Sequence, residues 1–226
     1  MIVVAGGRGV RAAGADGIPK QYRPIGGVPM LARAIRPFAT HPRVAGVVAV
    51  LPPGDVASPP AWLVEAGGPG LVVVAGGPTR QESVANGLAA IPPGVGIVLV
   101  HDAARPFVDR KLIDRVIAVA ECGAVAVPAL PLAETVKETD AAGLVVRTVP
   151  RERLVAVQTP QAFPRATLET AHLRFRGEPP ATDDAALCER LGAAVRVVAG
   201  SARNLKITRP EDFRLAEALA AIDGGA

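Results

Sequence analysis

Aromatic residues are scarce, with phenylalanine, tryptophan and tyrosine making up 3% of the 226 residues. A core must therefore be built from valine, leucine, isoleucine and alanine. Cysteine is nearly absent too. Cys122 and Cys188 stand far apart with no second Cys or His at ligand spacing, which excludes a disulfide framework and argues against a zinc site. Both are expected as small buried apolar side chains. No apolar run approaches the ~20 residues of a membrane span. Met1–Gly7 shows neither a basic segment nor the long apolar stretch of a signal peptide, so a cytoplasmic location is expected. Nor does one charge dominate, since Lys and Arg exceed Asp and Glu by 25 − 21 = 4. So mild a surplus suits a phosphorylated substrate and not nucleic acid.

What is abundant is short apolar runs. Half the residues are apolar, which excludes intrinsic disorder. At about 150 residues per domain, the length predicts one large domain over 1–226, with a small excursion. Such a chain buries roughly 70% of its unfolded surface and needs no staple to fold. Runs at Ile2–Ala5, Val47–Leu51, Leu71–Val74, Ile97–Val100, Ala124–Val127 and Ala194–Val198 read as strands. They alternate with helical stretches at 29–39, 80–90, 110–121, 165–174, 184–191 and 210–222. That alternation predicts an α/β fold, a mostly parallel mixed sheet covered by helices on both faces. Thr79-Arg80-Gln81-Glu82 and Thr208-Arg209-Pro210-Glu211 read as capping boxes, and Asp109 as an N-cap. Residues 132–158 break the pattern. Glu134–Glu138 and Leu144–Val149 flank a loop ending in Gly143, which predicts a β-hairpin arm projecting from the domain.

Four strings carry candidate chemistry. The first, Ala5-Gly6-Gly7-Arg8-Gly9-Val10-Arg11, follows the first strand, with Pro19-Lys20-Gln21-Tyr22 beyond it. Glycines let a phosphate chain approach the backbone, and successive N–H groups form an anion-binding nest. Taken alone the loop is also an ordinary turn, but its place at a strand's C-terminal end favours a ligand. It lacks the G-K-[S/T] of a Walker A loop. It matches G-x-G-x-x-A literally, yet no acidic residue ends the second strand, so a dinucleotide site is excluded. The second string is His101-Asp102-Ala103-Ala104-Arg105-Pro106 after the strand at 97–100. A carboxylate facing a triphosphate is repelled unless a cation lies between them, so Mg²⁺ at Asp102 is expected. Arg105 can grip a phosphate with its fork, or sit on a solvated rim. His101 reads as structural. In the third string, Gly76–Ser83, Ser83 can reach a nucleobase edge from a helix N-terminus, and the same residues also read as a plain capped helix start. The fourth is Arg203–Asp212, where alternation turns Lys206 away from apolar Leu205 and Ile207.

In this order and on these elements, the four strings resemble the 2-C-methyl-D-erythritol 4-phosphate cytidylyltransferases of the non-mevalonate isoprenoid route. The resemblance runs from about Val3 to Leu219 and is most specific at His101–Pro106, Thr159-Pro160-Gln161 with Phe163, and Asn204–Asp212. It implies a nucleotide-transferase (Rossmann-like) fold that joins CTP to a sugar-alcohol phosphate and releases pyrophosphate. It also implies a homodimer in which the 132–158 arm reaches the partner's site. By motif, Ala5, Gly6, Gly7 and Gly9 wrap the nucleotide, Gly77 and Ser83 complete the base pocket, and Asp102, with Ala103 beside it, holds Mg²⁺ on the phosphates. Arg11 and Lys20 match the pair that stabilises the reacting α-phosphate. Arg105, Thr182 and Lys206 match the binders of the acceptor, joined by Thr135 and Arg151 of the partner's arm. Glu134-Thr135 stands where Asp-Thr is usual, and Thr182-Asp183-Asp184 where Thr-Asp-Glu is usual. The chemistry is consistent with the residues alone: in-line phosphoryl transfer needs positioning and positive charge, and no Ser-His-Asp or Cys-His set is on offer. Rival readings are a ribitol- or other alditol-phosphate cytidylyltransferase, a sugar-nucleotide pyrophosphorylase using UTP or GTP, and a non-catalytic nucleotide sensor. Four well-placed charged residues, Arg11, Lys20, Asp102 and Lys206, weigh against the sensor.

Overall fold

The computed structural model describes residues 1–6 and 18–224. In chain order its elements are β1 (Ile2–Val4), β2 (Pro24–Ile25), β3 (Val28–Pro29), α1 (Met30–Ala39), β4 (Val47–Leu51), α2 (Ala61–Gly67), β5 (Leu71–Ala75), α3 (Arg80–Ala89) and β6 (Ile97–Asp102). There follow α4 (Arg110–Glu121), β7 (Val125–Pro131), β8 (Val136–Thr139), β9 (Val145–Val149), β10 (Val155–Val157), β11 (Gln161–Pro164), α5 (Arg165–Arg174), α6 (Asp184–Arg190), β12 (Val195–Ala199) and α7 (Pro210–Gly224). Eight strands form one sheet in which β5, β4, β1, β6, β11 and β7 are successive neighbours, with β10 and β12 also on β7. β5, β4, β1 and β6 run parallel, and β11 lies antiparallel between β6 and β7.

The two-residue period of the strands divides the core into two layers. Val3, Ala49, Leu51 and Leu99 face one side, against Leu31, Ile35 and Phe38 of α1 and Leu112, Ile113 and Val116 of α4. Ile2, Val48, Val50, Val98 and Val100 face the other, against Val84 and Leu88 of α3, Leu168 of α5 and Leu187 of α6. Valine on both faces of one strand is what a sheet covered by helices on both sides requires. A smaller cluster joins β2 to α7 through Ile25, Met30, Ile207, Ala216 and Ala220. The connection after β1 runs outward to β4 and β5, whereas β6 lies on β1's opposite edge. Strand order therefore reverses at β1 and β6, and a crevice opens outside their C-terminal ends, the usual ligand position in open α/β sheets.

The β8–β9 hairpin forms as expected, with Asp140 Oδ1 accepting from the N–H groups of Ala142 and Leu144 across the turn. Val155–Val157, expected in the arm, instead pairs antiparallel with Ala129–Pro131 of β7. The Thr79–Glu82 capping box and the Asp109 cap are present. At α7 the cap acceptor is Asp212, which receives Thr208 N–H, Thr208 Oγ1–H and Arg209 N–H, not Glu211. Cys188 is buried, but Cys122, at the C-terminal cap of α4, is exposed.

Candidate active site

Three strand ends build the crevice floor. Ala5 N–H donates to Val50 C=O at 2.9 Å, Ala103 N–H to Val4 C=O at 3.1 Å and Gly76 N–H to Leu51 C=O at 2.7 Å, so the ladders continue past the formal strands. The loops after β1 and β5 then meet at glycine. A Cβ at Gly76 would stand 3.1 Å from Ser83 Oγ and 3.2 Å from Gly6 Cα, and one at Gly77 would stand 2.4 Å from Glu82 Cβ. The crevice above them has a volume of about 810 Å³ and is lined by Gly6, Gly77, Arg80, Ser83, Asp102 and Lys206 among others. Ser83 is buried. Its hydroxyl accepts Gly77 N–H at 3.1 Å and donates to Thr79 C=O at 2.9 Å, closing the turn that shapes the floor.

Asp102 ends β6 and carries the site's charge pattern. Arg80 Nε stands 3.2 Å from its Oδ1 and Lys206 Nζ 2.6 Å from its Oδ2. Burial pushes the Asp102 carboxyl up, but Arg80 and Lys206 outweigh it and hold the group well below the usual carboxylate range. The backbone behind it is fixed by His101. Arg105 C=O can only accept, so His101 Nε2–H donates to it at 2.9 Å. His101 Nδ1 then accepts from Thr159 Oγ1–H at 3.0 Å, and the same Oγ1 accepts Asp102 N–H at 3.1 Å. Burial holds His101 down to about 4, so the ring is neutral, as this tautomer requires. The structural reading of His101 is the one the geometry gives.

Lys206 projects because its neighbours are pinned. Fully buried Asn204 donates from Nδ2 to Thr159 C=O at 2.8 Å, and Ile207 N–H donates to Ala104 C=O at 2.8 Å. Lys20 arrives from the other side of the chain and donates to Ile207 C=O. Lys20 is thereby tied to the main chain beside Lys206, whose ammonium pairs with Asp102, although Lys20 and Ile207 are 187 positions apart. A latch holds the Lys20 turn: Tyr22 O–H donates to Asp55 Oδ2 at 2.5 Å, and its ring meets Trp62 edge-on at 5.7 Å between centroids. Burial, then Asp55, push the Tyr22 hydroxyl up, keeping it a donor. Tyr22→Phe is expected to cost about 1–2 kcal/mol, read by urea denaturation. A loss below the error of that measurement would show the hydroxyl adds nothing to the latch.

The remaining expected residues divide. Gly7, Gly9 and Arg11 lie outside the described residues. Arg105 is buried, with Nη1 donating to Asn204 C=O at 2.8 Å and Nη2 to Val157 C=O at 3.3 Å, so its fork faces main-chain carbonyls and joins the Lys206 loop to β10. Thr182 is exposed in the loop before α6. Thr135 and Arg151 are exposed at the base of the hairpin, where Arg151 donates to Ala133 C=O, and neither contacts Asp102 in this chain. Two charged residues of this region are not singled out by the sequence. Arg80 appears there only inside a capping box, yet its Nη1 also stands 2.6 Å from Oδ2 of buried Asp184. A cation in the first turn of a helix opposes the helix dipole, and that misfit is the available signal.

The comparisons with known proteins agree with one another. The family model "IspD: 2-C-methyl-D-erythritol 4-phosphate cytidylyltransferase" matches residues 1–221. The chain is 48% identical to the 2-C-methyl-D-erythritol 4-phosphate cytidylyltransferase of Streptomyces coelicolor, over 97% of this chain and 84% of that protein. It is 47% identical to the bifunctional enzyme IspD/IspF of Solidesulfovibrio magneticus, of which it spans 56%. The crystal structure of 2-C-methyl-D-erythritol 4-phosphate cytidylyltransferase from Thermus thermophilus is similar with a TM-score of 0.79 and 41% identity, over 97% of this chain and 98% of that one.

Proposed function

The chain belongs to the 2-C-methyl-D-erythritol 4-phosphate cytidylyltransferase family, and we propose that its crevice is where the cytidylyl group of CTP passes to 2-C-methyl-D-erythritol 4-phosphate. The products are 4-diphosphocytidyl-2-C-methyl-D-erythritol and pyrophosphate. The observation that carries this assignment of the site is the pairing of Asp102 with Lys206 above a glycine floor at the ends of β1 and β6, with Lys20 tied to the main chain beside Lys206.

An acceptor phosphate oxygen attacks the α-phosphorus of CTP in line, the bond to the β-phosphate oxygen breaks, and pyrophosphate departs with the electron pair. Negative charge grows on the equatorial oxygens and the leaving group, and fixed cations stabilise it without reorganisation. Lys20 and Lys206 supply those cations, Lys206 moving from Asp102 to the acceptor phosphate, and Arg11 adds a third from outside the described residues. Gly6 and Gly77 let the nucleotide approach the backbone, with Gly7 and Gly9, outside the described residues, continuing the loop. Ser83 shapes the base pocket by holding the Gly77 turn, and Ala5 and Ala103 support it through the ladder. Arg105 positions the Lys206 loop, while Thr182 of this chain and Thr135 and Arg151 of the partner's arm hold the acceptor.

Asp102 is the protein's carboxylate for Mg²⁺. The described residues contain no cluster of three His, Cys, Asp or Glu side chains that could cage an ion. A single carboxylate suits a hydrated Mg²⁺ that arrives on the triphosphate and takes its other ligands from phosphate oxygens and water. When bound, the ion neutralises triphosphate charge. Asp102→Asn is expected to raise the Mg²⁺ concentration for half-maximal turnover at least about tenfold, and an unchanged requirement would remove Asp102 as the ligand.

We also assign the working enzyme as a cytoplasmic homodimer joined through the part of the 132–158 arm that β8 and β9 form, without Val155–Val157. Leu144, Val145 and Val146 are all exposed on or beside β9, so the ribbon presents apolar side chains on both of its faces for a second copy to cover. Sedimentation tests the dimer. None of the described helices is long and apolar enough to cross a membrane. The function itself is tested by pyrophosphate release with CTP, UTP and GTP against methylerythritol phosphate and ribitol 5-phosphate. Preference for CTP with methylerythritol phosphate is expected, and preference for ribitol 5-phosphate would transfer the assignment to the alditol-phosphate enzymes.

A further inference from the structure

We infer that Arg80 is a positioning residue that holds the Asp102 carboxylate in its working orientation, with buried Asp184 anchoring Arg80 from behind. The inference rests on the reaction proposed above and deepens it.

Four side chains form one line running from the helix layer into the crevice. His172 Nε2 stands 2.8 Å from Asp184 Oδ1, Asp184 Oδ2 stands 2.6 Å from Arg80 Nη1, and Arg80 Nε stands 3.2 Å from Asp102 Oδ1. Asp184 is 1% exposed and sits at the start of α6, 104 positions from Arg80. Its charge must be paired where it lies, because an unpaired buried carboxylate is strongly destabilising. Arg80 supplies the pairing and spends a second nitrogen on Asp102. A planar guanidinium with fixed donor directions can span two carboxylates at once and so transmits position from one to the other.

The two oxygens of Asp102 are held differently. Oδ1 is tied to Arg80, whose other partner is buried. Oδ2 is tied to Lys206, whose side chain is 44% exposed and ends a loop. Once Lys206 turns to the acceptor phosphate, Arg80 alone keeps the carboxylate from rotating, and Oδ2 is left pointing into the crevice. Arg80 occupies the first turn of α3, where a helix dipole disfavours a cation, so its placement is not explained by helix formation.

The bland alternative is that Arg80 only neutralises Asp184. R80A/D184N removes that duty, since no buried carboxylate is left unpaired, while R80K keeps a charge that cannot span both carboxylates. Each variant is compared with the wild type by thermal melting, by Mn²⁺ binding in the presence of CTP, and by kcat and the KM for each substrate. With R80A/D184N folded, Mn²⁺ affinity is expected to fall about tenfold or more, with kcat falling alongside it and the acceptor KM little changed; R80K should show the same losses. Wild-type turnover combined with wild-type Mn²⁺ affinity in both variants would overturn this inference alone. Failure of the unaltered enzyme to release pyrophosphate from CTP and methylerythritol phosphate would overturn the reaction and this inference with it.

Discussion

Replacing Lys20 or Lys206 by alanine is expected to lower kcat by about 10²–10³-fold, the scale of a lost preorganised donor at developing charge, while leaving the protein folded. The contrast follows from where the two ammonium groups sit. Lys206 is 44% exposed at its side chain, and Asp102 keeps Arg80 when Lys206 is removed. Lys20 is partly exposed and donates to a main-chain carbonyl. Substitutions at such places usually change stability by no more than about 0.5 kcal/mol. Transition-state charge has no such tolerance, because water admitted to the gap must reorganise during the reaction and a fixed ammonium need not. Arginine should rescue neither fully, since a planar fork is larger and aims its donors differently. If the two act on one phosphate, the double variant should lose much less than the product of the single losses. Arg11→Ala is expected to show a loss of the same order. Steady-state pyrophosphate release checks all of these, and alanine variants at 20 and 206 that both keep kcat within tenfold of wild type would contradict the assigned roles.

The grouping behind these expectations is partly legible in the amino-acid order alone. The parallel half of the sheet announces itself because a strand buried on both faces must be apolar at every position, as Val47–Leu51 is. Lys20, Asp102 and Lys206 can be grouped because two of the three follow or end strands whose C-terminal ends share an edge. Other features depend on partners distant in the chain. α2 is seven residues long and preceded by prolines, so its helical period never has room to show. β10 is an exposed Val-Ala-Val run whose claim to the sheet is its pairing with β7. Arg80 reads as a cap neighbour until Asp184 is brought beside it. Ser83 is expected from its spacing to reach a base edge, and its hydroxyl also bonds Gly77 and Thr79, a contact set by backbone geometry that spacing cannot reveal. β11 is the clearest case. Gln161-Ala162-Phe163-Pro164 has neither alternation nor a β-branched run, and only its fit between β6 and β7 makes it a strand.

Phe163→Ala should therefore be strongly destabilising, at about 3–5 kcal/mol, lowering Tm by about 6–20 °C for a chain of this size. Phe163 is fully buried, opposite Val98 on β6, and packs into the layer under α5 and α6. The aliphatic side chains around it, among them Val98, Leu168 and Leu187, are held on strands and helices, so most of the cavity persists. The damage is also placed where it matters. Gln161, two residues earlier, donates from Nε2 to Asp183 Oδ2 at 2.6 Å and accepts Ala185 N–H, docking the start of α6 that carries Asp184. Thr159 holds the Asp102 and His101 backbone from the same stretch. Well below its transition the variant should keep kcat within a few-fold of wild type, because the strand stays paired on both edges. As Tm is approached, turnover should fall together with the melting signal, since losing β11 releases both ends of the His172–Asp184–Arg80–Asp102 line. Thermal melting followed in parallel with pyrophosphate release separates this from the lysine variants, whose turnover is lost at every temperature. A Tm within about 2 °C of wild type would mean that β11 is held by its ladder alone and that the ring contributes little to the sheet.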